Sequence, residues 1–366
     1  AAPTCLEVFA GCYERTVLGY EVYEDVNAGR FAITAKFTDN SHTGYVKSIA
    51  ANEAYLATGS TDETIHLYDL KTNRELGTLL QHDGSVTRLC FHGDSHMVSC
   101  SVDGTLAIWN TSSWELMKSL RAHKGGVNSV AVHPSGKLAL TAGQDKSLRT
   151  WNLIRGRVAY TTNIKQVPDL VLWSPDGELY IVVTENIIHI YTITTATVID
   201  TLDFKRRIIT VSFLTNRILA VGGEGEMIRL FELAEGCSRC RCEFRAHENR
   251  VKGIECTSDR SSKGSETNRW LVTVSNDGFL KIWSVNIETL DEPTLLASLN
   301  TTARLTCVAV RPSSRPAVED SPTPKQATEV EAATRTESAP TKRSRQSNAA
   351  DLDSKKKKVK TRKQKP

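Results

Sequence analysis

Short runs in which apolar and polar residues alternate recur along the chain, and each ends on or next to an aromatic: TIHLYD, TLAIWN, SLRTWN, NIIHIYT, MIRLFE and FLKIWS. Alternation with a period of two is the pattern of a β-strand with one face turned to a core. The aromatics are Tyr68, Trp109, Trp151, Tyr191, Phe231 and Trp283, at spacings of 41, 42, 40, 40 and 52 residues. A second kind of strand-like segment lies upstream, seen in VTRLCF (86–91), VNSVAV (127–132), IITVSF (208–213), VKGIEC (251–256) and LTCVAV (305–310). Turn chemistry separates the two, as in HPSGK (133–137) and SPDGE (174–178), where Pro and Gly supply the angles of tight turns. No helical period appears. A multi-strand unit repeating about every 40 residues predicts an all-β ring of blades, a β-propeller.

The two ends of the patterned region complete the ring. LEVFAGCY (6–13), TVLGYEVY (16–23) and RFAITAKF (30–37) read as three strands with Tyr20 at the aromatic position, and LTCVAV (305–310) supplies the fourth. Sharing the last blade between residues 6–37 and 305–310 leaves no sheet edge open and brings the count to seven blades. The propeller is therefore expected over 1–310. The extra length of the sixth repeat falls in TSDRSSKGSETNR (257–269), expected as a solvated loop.

Four repeats carry a further set of polar residues. Asp62, Asp103, Asp145 and Asp277 stand six residues before their aromatic, and Thr58, Ser99, Thr141 and Thr273 four residues before the Asp. His42, His82, His123 and His247 precede the Asp by 20, 21, 22 and 30 residues. With Tyr68, Trp109, Trp151 and Trp283 they suit a buried relay. The carboxylate accepts from the turn backbone and from His, the Ser/Thr hydroxyl holds His, and that hydroxyl faces the indole N–H. Removing one carboxylate, as in Asp103→Ala, is expected to strand a buried His at a cost of roughly 2–5 kcal/mol. The fourth and fifth repeats place Glu185 and Gly225 at the Asp position and lack the His, so apolar packing is expected to hold them. This signature resembles the WD-repeat family, which implies a seven-bladed WD-repeat β-propeller.

Composition changes the picture mainly at the C-terminal end. The net charge of +4 hides an asymmetry: from Arg311 on there are 15 Lys and Arg against 7 Asp and Glu, leaving 31 against 35 in residues 1–310. The stretch 311–366 is poor in aromatic and branched apolar residues and is expected to be a disordered, Lys/Arg-rich tail. Within it Lys342 and Arg343, eleven intervening residues, and then Lys355, Lys356, Lys357 and Lys358 match a bipartite nuclear-import signal. No long apolar run and no leader-like start are read, and nine scattered cysteines suit reduced thiols, so a soluble intracellular protein without a membrane partner is expected.

Candidate chemistry finds structural explanations. The His–Asp–Ser/Thr sets look like triads, but their recurrence at blade spacing assigns them to scaffolding. Cys237, Cys240 and Cys242 lack a second spaced pair for zinc, and His247 is already placed in a relay. GGEGE (222–226) has no Lys-Ser/Thr and precedes a strand, so it reads as a turn. No enzyme, metal or cofactor is expected. Loops leading into the blades carry Lys124, Lys205, Arg206, Arg207, Arg250, Lys252 and Arg304, an arc of positive charge suited to RNA phosphates or an acidic protein segment.

Longer stretches carry a closer resemblance. HTGYVKSIA (42–50), GSTDETIHLYD (59–69), HPSGKLALTAGQDKSLRTWNLIRGR (133–157), FRAHENRVK (244–252) and NTTARLTCVAV (300–310), with the Lys-rich tail, resemble the family of PAK-interacting WD-repeat proteins. That resemblance implies a nucleolar scaffold for assembly of the large, 60S-type ribosomal subunit, with pre-ribosomal assembly factors or ribosomal proteins, and rRNA, as partners. It also implies binding to the regulatory region of PAK-type kinases and restraint of their signalling. A purely cytoplasmic inhibitor, or a substrate-receptor adaptor with no ribosomal role, is the alternative.

Overall fold

The structure, a computed structural model, is described for residues 4–25, 30–259 and 266–312. Lys342, Arg343 and Lys355 to Lys358 lie outside the described residues, as does the tail from residue 313 on. Among the described residues, 28 strands form seven four-stranded antiparallel sheets and there is no helix. Blades 1 to 6 span 46–79, 86–121, 127–163, 170–203, 208–245 and 251–300, each with its strands in chain order. In blade 7, Leu305–Pro312 pairs with Thr4–Cys12, which is followed by Val17–Asp25 and Arg30–Asp39.

Sheets stacked face to face explain the burial. Strands in the middle of a blade are covered on both faces, so Leu179–Thr184 is buried at every position, whereas the outermost strand Glu115–Arg121 is largely exposed. Each core cluster sits between two blades: Val98, Cys100 and Leu106 of blade 2 meet Val127, Val130 and Trp151 of blade 3. Blade 7 packs on both neighbours, through Phe9 and Val17 with Leu56 and Tyr68 of blade 1, and through Leu6, Val8 and Tyr20 with Trp270 and Val272 of blade 6. Its seam carries charge. The buried Glu7 carboxylate accepts from Arg311 at 2.8 Å and from Lys36, with side-chain exposures of 9%, 19% and 13%.

One irregularity recurs in all seven blades. The pairing of the third and fourth strands slips at Leu67/Tyr68, Ile108/Trp109, Thr150/Trp151, Ile190/Tyr191, Leu230/Phe231, Ile282/Trp283 and Gly19/Tyr20. A β-bulge sharpens local twist, so the aromatic marks the place where every blade bends. In the sixth repeat, strands Val251–Ser258 and Asn268–Ser275 run into the segment read as a loop, pairing Thr257 with Trp270 and Ser258 with Arg269. The hairpin therefore continues further than its polar sequence indicates.

Candidate functional site

The loop leading into a blade and the turn between its second and third strands meet on one face, joined by the polar relays. In blade 3, Trp151 Nε1 donates to Thr141 Oγ1 at 2.9 Å, Thr141 Oγ1 lies 2.8 Å from His123 Nε2, and His123 Nδ1 lies 2.9 Å from Asp145. Blade 2 repeats this through Trp109 to Ser99 at 2.9 Å, Ser99 to His82 at 2.8 Å and His82 to Asp103 at 3.3 Å. Blade 6 repeats it through Trp283, Thr273, His247 and Asp277 at 3.1, 2.9 and 3.0 Å. One proton order pairs every group along such a chain: indole N–H to hydroxyl, hydroxyl to Nε2, and Nδ1–H to carboxylate. The carboxylates also accept the backbone N–H of Thr43, Asp83, Lys124 and Glu248, which clamps each leading loop onto its turn.

Blade 1 departs from the expected relay. His42 contacts Thr58 at 2.8 Å and Asp62 at 3.0 Å, but Tyr68 turns its hydroxyl outward and donates to Asp39 at 2.8 Å. A phenol projects its O–H further than an indole projects its N–H, so it reaches a carboxylate of blade 7 while staying within hydrogen-bonding range of the Thr58 hydroxyl. Burial, together with that bond, pushes the Tyr68 phenol up.

Three relays contain a member that the spacing did not reveal. Thr64, Thr105 and Ser147 stand two residues after the Asp and donate their hydroxyls to it at 2.6, 2.7 and 2.6 Å. Thr105 and Ser147 also lie 2.9 and 3.0 Å from the His Nδ1. The Asp-x-Thr/Ser pattern is visible in the chain, and blade 6 breaks it with Phe279. Burial by itself would raise these carboxyls, but the hydrogen bonds donated by the turn and by His outweigh it. Asp62 and Asp103 are held below the usual range, and Asp145 and Asp277 at about 2. Burial pushes the imidazoles of His42, His82 and His123 below their ordinary value.

The degenerate blades use other means. Strand pairing matches Thr58 with His66, Ser99 with Ala107 and Val221 with Arg229, a separation of eight residues, but Val182 with His189, a separation of seven. The turn of blade 4 is thus one residue short. Glu185 is not the counterpart of Asp; it takes a left-handed turn position with φ 52°, as Gly104 does with φ 87° after Asp103. The carboxylate comes instead from the leading loop, where Asp169 accepts the Glu185 N–H at 3.2 Å. In blade 5 apolar groups fill the relay: Val221 for the hydroxyl, Phe231 for Trp, and Phe204 edge-on to Phe231 at 5.4 Å. Replacing both partners of a buried bond with apolar groups strands nothing. In blade 7, Glu14 takes the clamping role and accepts the Arg304 N–H at 3.1 Å.

The positive arc is divided. Arg207 is paired with Asp169 at 3.2 Å and Arg304 with Glu14 at 3.0 Å, while Lys252 turns inward, 3.4 Å from the Tyr13 hydroxyl. Lys124, Lys205, Arg206 and Arg250 are exposed, and among the described residues no carboxylate lies within 4.0 Å of them. Inside the rim the first strands of all blades line a cavity of about 310 Å³ that holds Tyr13, Tyr45, Lys47, Arg88, Lys252 and Glu255.

Ring, bulged blades and relays together define a WD-repeat propeller. The family described as "WD domain, G-beta repeat" matches residues 34–69, 73–110, 114–152 and 238–284, passing over the blades whose relays are lost. A chain of the mitotic checkpoint complex, known from its crystal structure, shares the fold with a TM-score of 0.62 at 19% identity, over 76% of this chain and 84% of that one. The zebrafish (Danio rerio) protein "p21-activated protein kinase-interacting protein 1-like" is 49% identical over 305 residues, 83% of this chain and 80% of that protein. The fission yeast (Schizosaccharomyces pombe) "Shk1 kinase-binding protein 15" is 26% identical over 284 residues, 76% of this chain and 77% of that protein. The chain belongs to the family of p21-activated protein kinase-interacting protein 1.

Proposed function

We propose that the protein is a non-catalytic docking platform that holds the regulatory region of a PAK-type kinase on its leading-loop face and restrains that kinase. The observation that carries this reading is the commitment of the relay groups. Imidazole, carboxylate and hydroxyl sit 2.8 to 3.3 Å apart inside the blades, with the His side chains fully buried, so none is presented to a substrate. What the face does present is Lys124, Lys205, Arg206 and Arg250, a surface matched to an acidic segment. Relatives named as kinase-interacting and kinase-binding support a kinase as the partner. Purified full chain is expected to retain the regulatory region of a PAK-type kinase and lower the activation of that kinase. A chain that neither binds it nor changes its activation removes the reading.

The charge of the tail favours a second role. A segment with 15 Lys and Arg, the Lys355 to Lys358 run among them, suits nuclear import and retention among RNA-rich nucleolar particles. There the ring would serve large-subunit assembly, holding assembly factors or ribosomal proteins and touching rRNA. Depletion followed by gradient sedimentation of ribosomal particles tests it: loss of large subunits is expected, and an unchanged profile rejects this role.

A further inference from the structure

We propose that the mouth of the central channel is a receptor for a single acidic side chain of a protein partner, held by Lys47, Arg88 and Lys252. This deepens the docking reading above and rests on it for the nature of the partner. The three cations come from the first strands of blades 1, 2 and 6 and line one cavity of about 310 Å³ that only Glu255 lines with a carboxylate. Among the described residues no carboxylate lies within 4.0 Å of Lys47, Arg88 or Lys252. Three positive groups facing one negative group inside a protein-walled hole leave excess charge poorly solvated, and an anion entering from the face offsets it. Burial supports the point independently: it lowers the Lys47 ammonium below the ordinary lysine range and raises the Glu255 carboxyl to about 7, so both charges are disfavoured inside the ring.

Three features select an amino-acid side chain over nucleic acid. The Tyr13 ring is already covered, by Tyr45 at 5.2 Å, by Lys252 at 5.7 Å and by Arg304 at 5.3 Å, so it offers no open platform for a base. The cations lie within the ring rather than along a surface track that a phosphate backbone follows. The remaining wall is mixed, with aliphatic Ile49, Leu172, Val211 and Ile254 beside polar Thr87, Asn128, Thr210 and Thr306, which suits a Glu side chain with its apolar stem and polar head.

The test uses the full chain and fluorescein-labelled hexaglutamate at physiological ionic strength, read by anisotropy. Saturable 1:1 binding is expected, weakened at least tenfold in Lys47→Met/Arg88→Met and several-fold in Lys252→Gln, with melting temperatures held. If the double variant does not fold, Lys252→Gln, at the solvent end, gives the reading alone. Binding within twofold of the parent in the variants overturns the proposal. So does failure of hexaglutamate to bind, or saturation by hexauridylate or pyrophosphate in its place. A chain that takes hexaglutamate but no kinase segment keeps the channel site and removes the kinase reading; the converse removes the channel site alone.

Discussion

The relays make a graded prediction, because their Asp residues are not equally indispensable. In Asp103→Ala, the His82 Nδ1–H keeps an acceptor, since Thr105 Oγ1 stands 2.9 Å away while Asp103 itself is at 3.3 Å. In Asp277→Ala nothing replaces the carboxylate, because Phe279 occupies the position of that hydroxyl, and the fully buried His247 is left with an unmet donor. Both variants lose the clamp on a leading loop, donated by Asp83 N–H or Glu248 N–H, each at 3.0 Å. A lost charged hydrogen bond costs about 1.5–3 kcal/mol, and an unsatisfied buried donor adds about 1–3 kcal/mol. Asp103→Ala should therefore lose about 2 kcal/mol and Asp277→Ala about 4 kcal/mol. Urea denaturation followed by far-ultraviolet circular dichroism, with slopes checked for equality, measures both. A double-mutant cycle with His247→Ala should recover most of the excess in blade 6. Equal losses, or a larger loss for Asp103→Ala, would refute the assignment of Thr105 as a reserve acceptor.

Other outcomes follow from the same geometry. Glu7→Ala removes the carboxylate paired with Arg311 at the seam of blade 7, while Lys36 keeps Glu21 at 3.2 Å, and should cost about 3 kcal/mol; stability within about 1 kcal/mol of the parent would show that apolar packing alone closes the ring. On acidification stability should fall in two stages. His42, His82 and His123 have imidazoles lowered in the native state, so the unfolded chain takes up protons first and stability declines as pH drops below about 6.5. Asp145 and Asp277, held at about 2, contribute stability that is full above the ordinary carboxylate range and is lost as pH falls from there toward 2. A denaturation midpoint that stays level between pH 7.5 and 5 would contradict the first stage. Hexaglutamate should bind more tightly at pH 6 than at pH 8, because Glu255, which shares its cavities with Lys47, Lys252, Arg88, Tyr13, Tyr45, Cys90 and Cys307 and with no titratable group from blades 3 to 5, is raised to about 7 by burial and gains its proton over that range; Glu255→Gln should flatten the profile. Arg206→Glu/Arg250→Glu should weaken capture of an acidic partner without lowering the melting temperature, and unchanged capture would exclude the rim.

What the amino-acid order determined by itself is whatever lies within one blade. Aromatic, Asp and hydroxyl are spaced by the pitch of a two-strand hairpin, so counting residues located Asp103, Ser99 and Trp109 together, and Tyr20 marked the seventh bulge by the same count. Counting failed where the hairpin changed length: at Glu185 the aromatic spacing of 40 hid a missing turn residue, and only strand pairing revealed that Asp169 had assumed the role. It also overlooked Thr105 and Ser147, although their Asp-x-Thr/Ser signal is local, because a surface hydroxyl and a relay hydroxyl look alike in a string of letters. Tertiary structure alone decided which charges cancel and which converge. Arg304 meets Glu14, and Lys47, Arg88 and Lys252 meet one another's field, only because ring closure brings residues hundreds of positions apart around one axis. Periodicity predicts that a ring closes; it carries no information on which side chains then share its centre, since that depends on distances across the ring rather than along the chain.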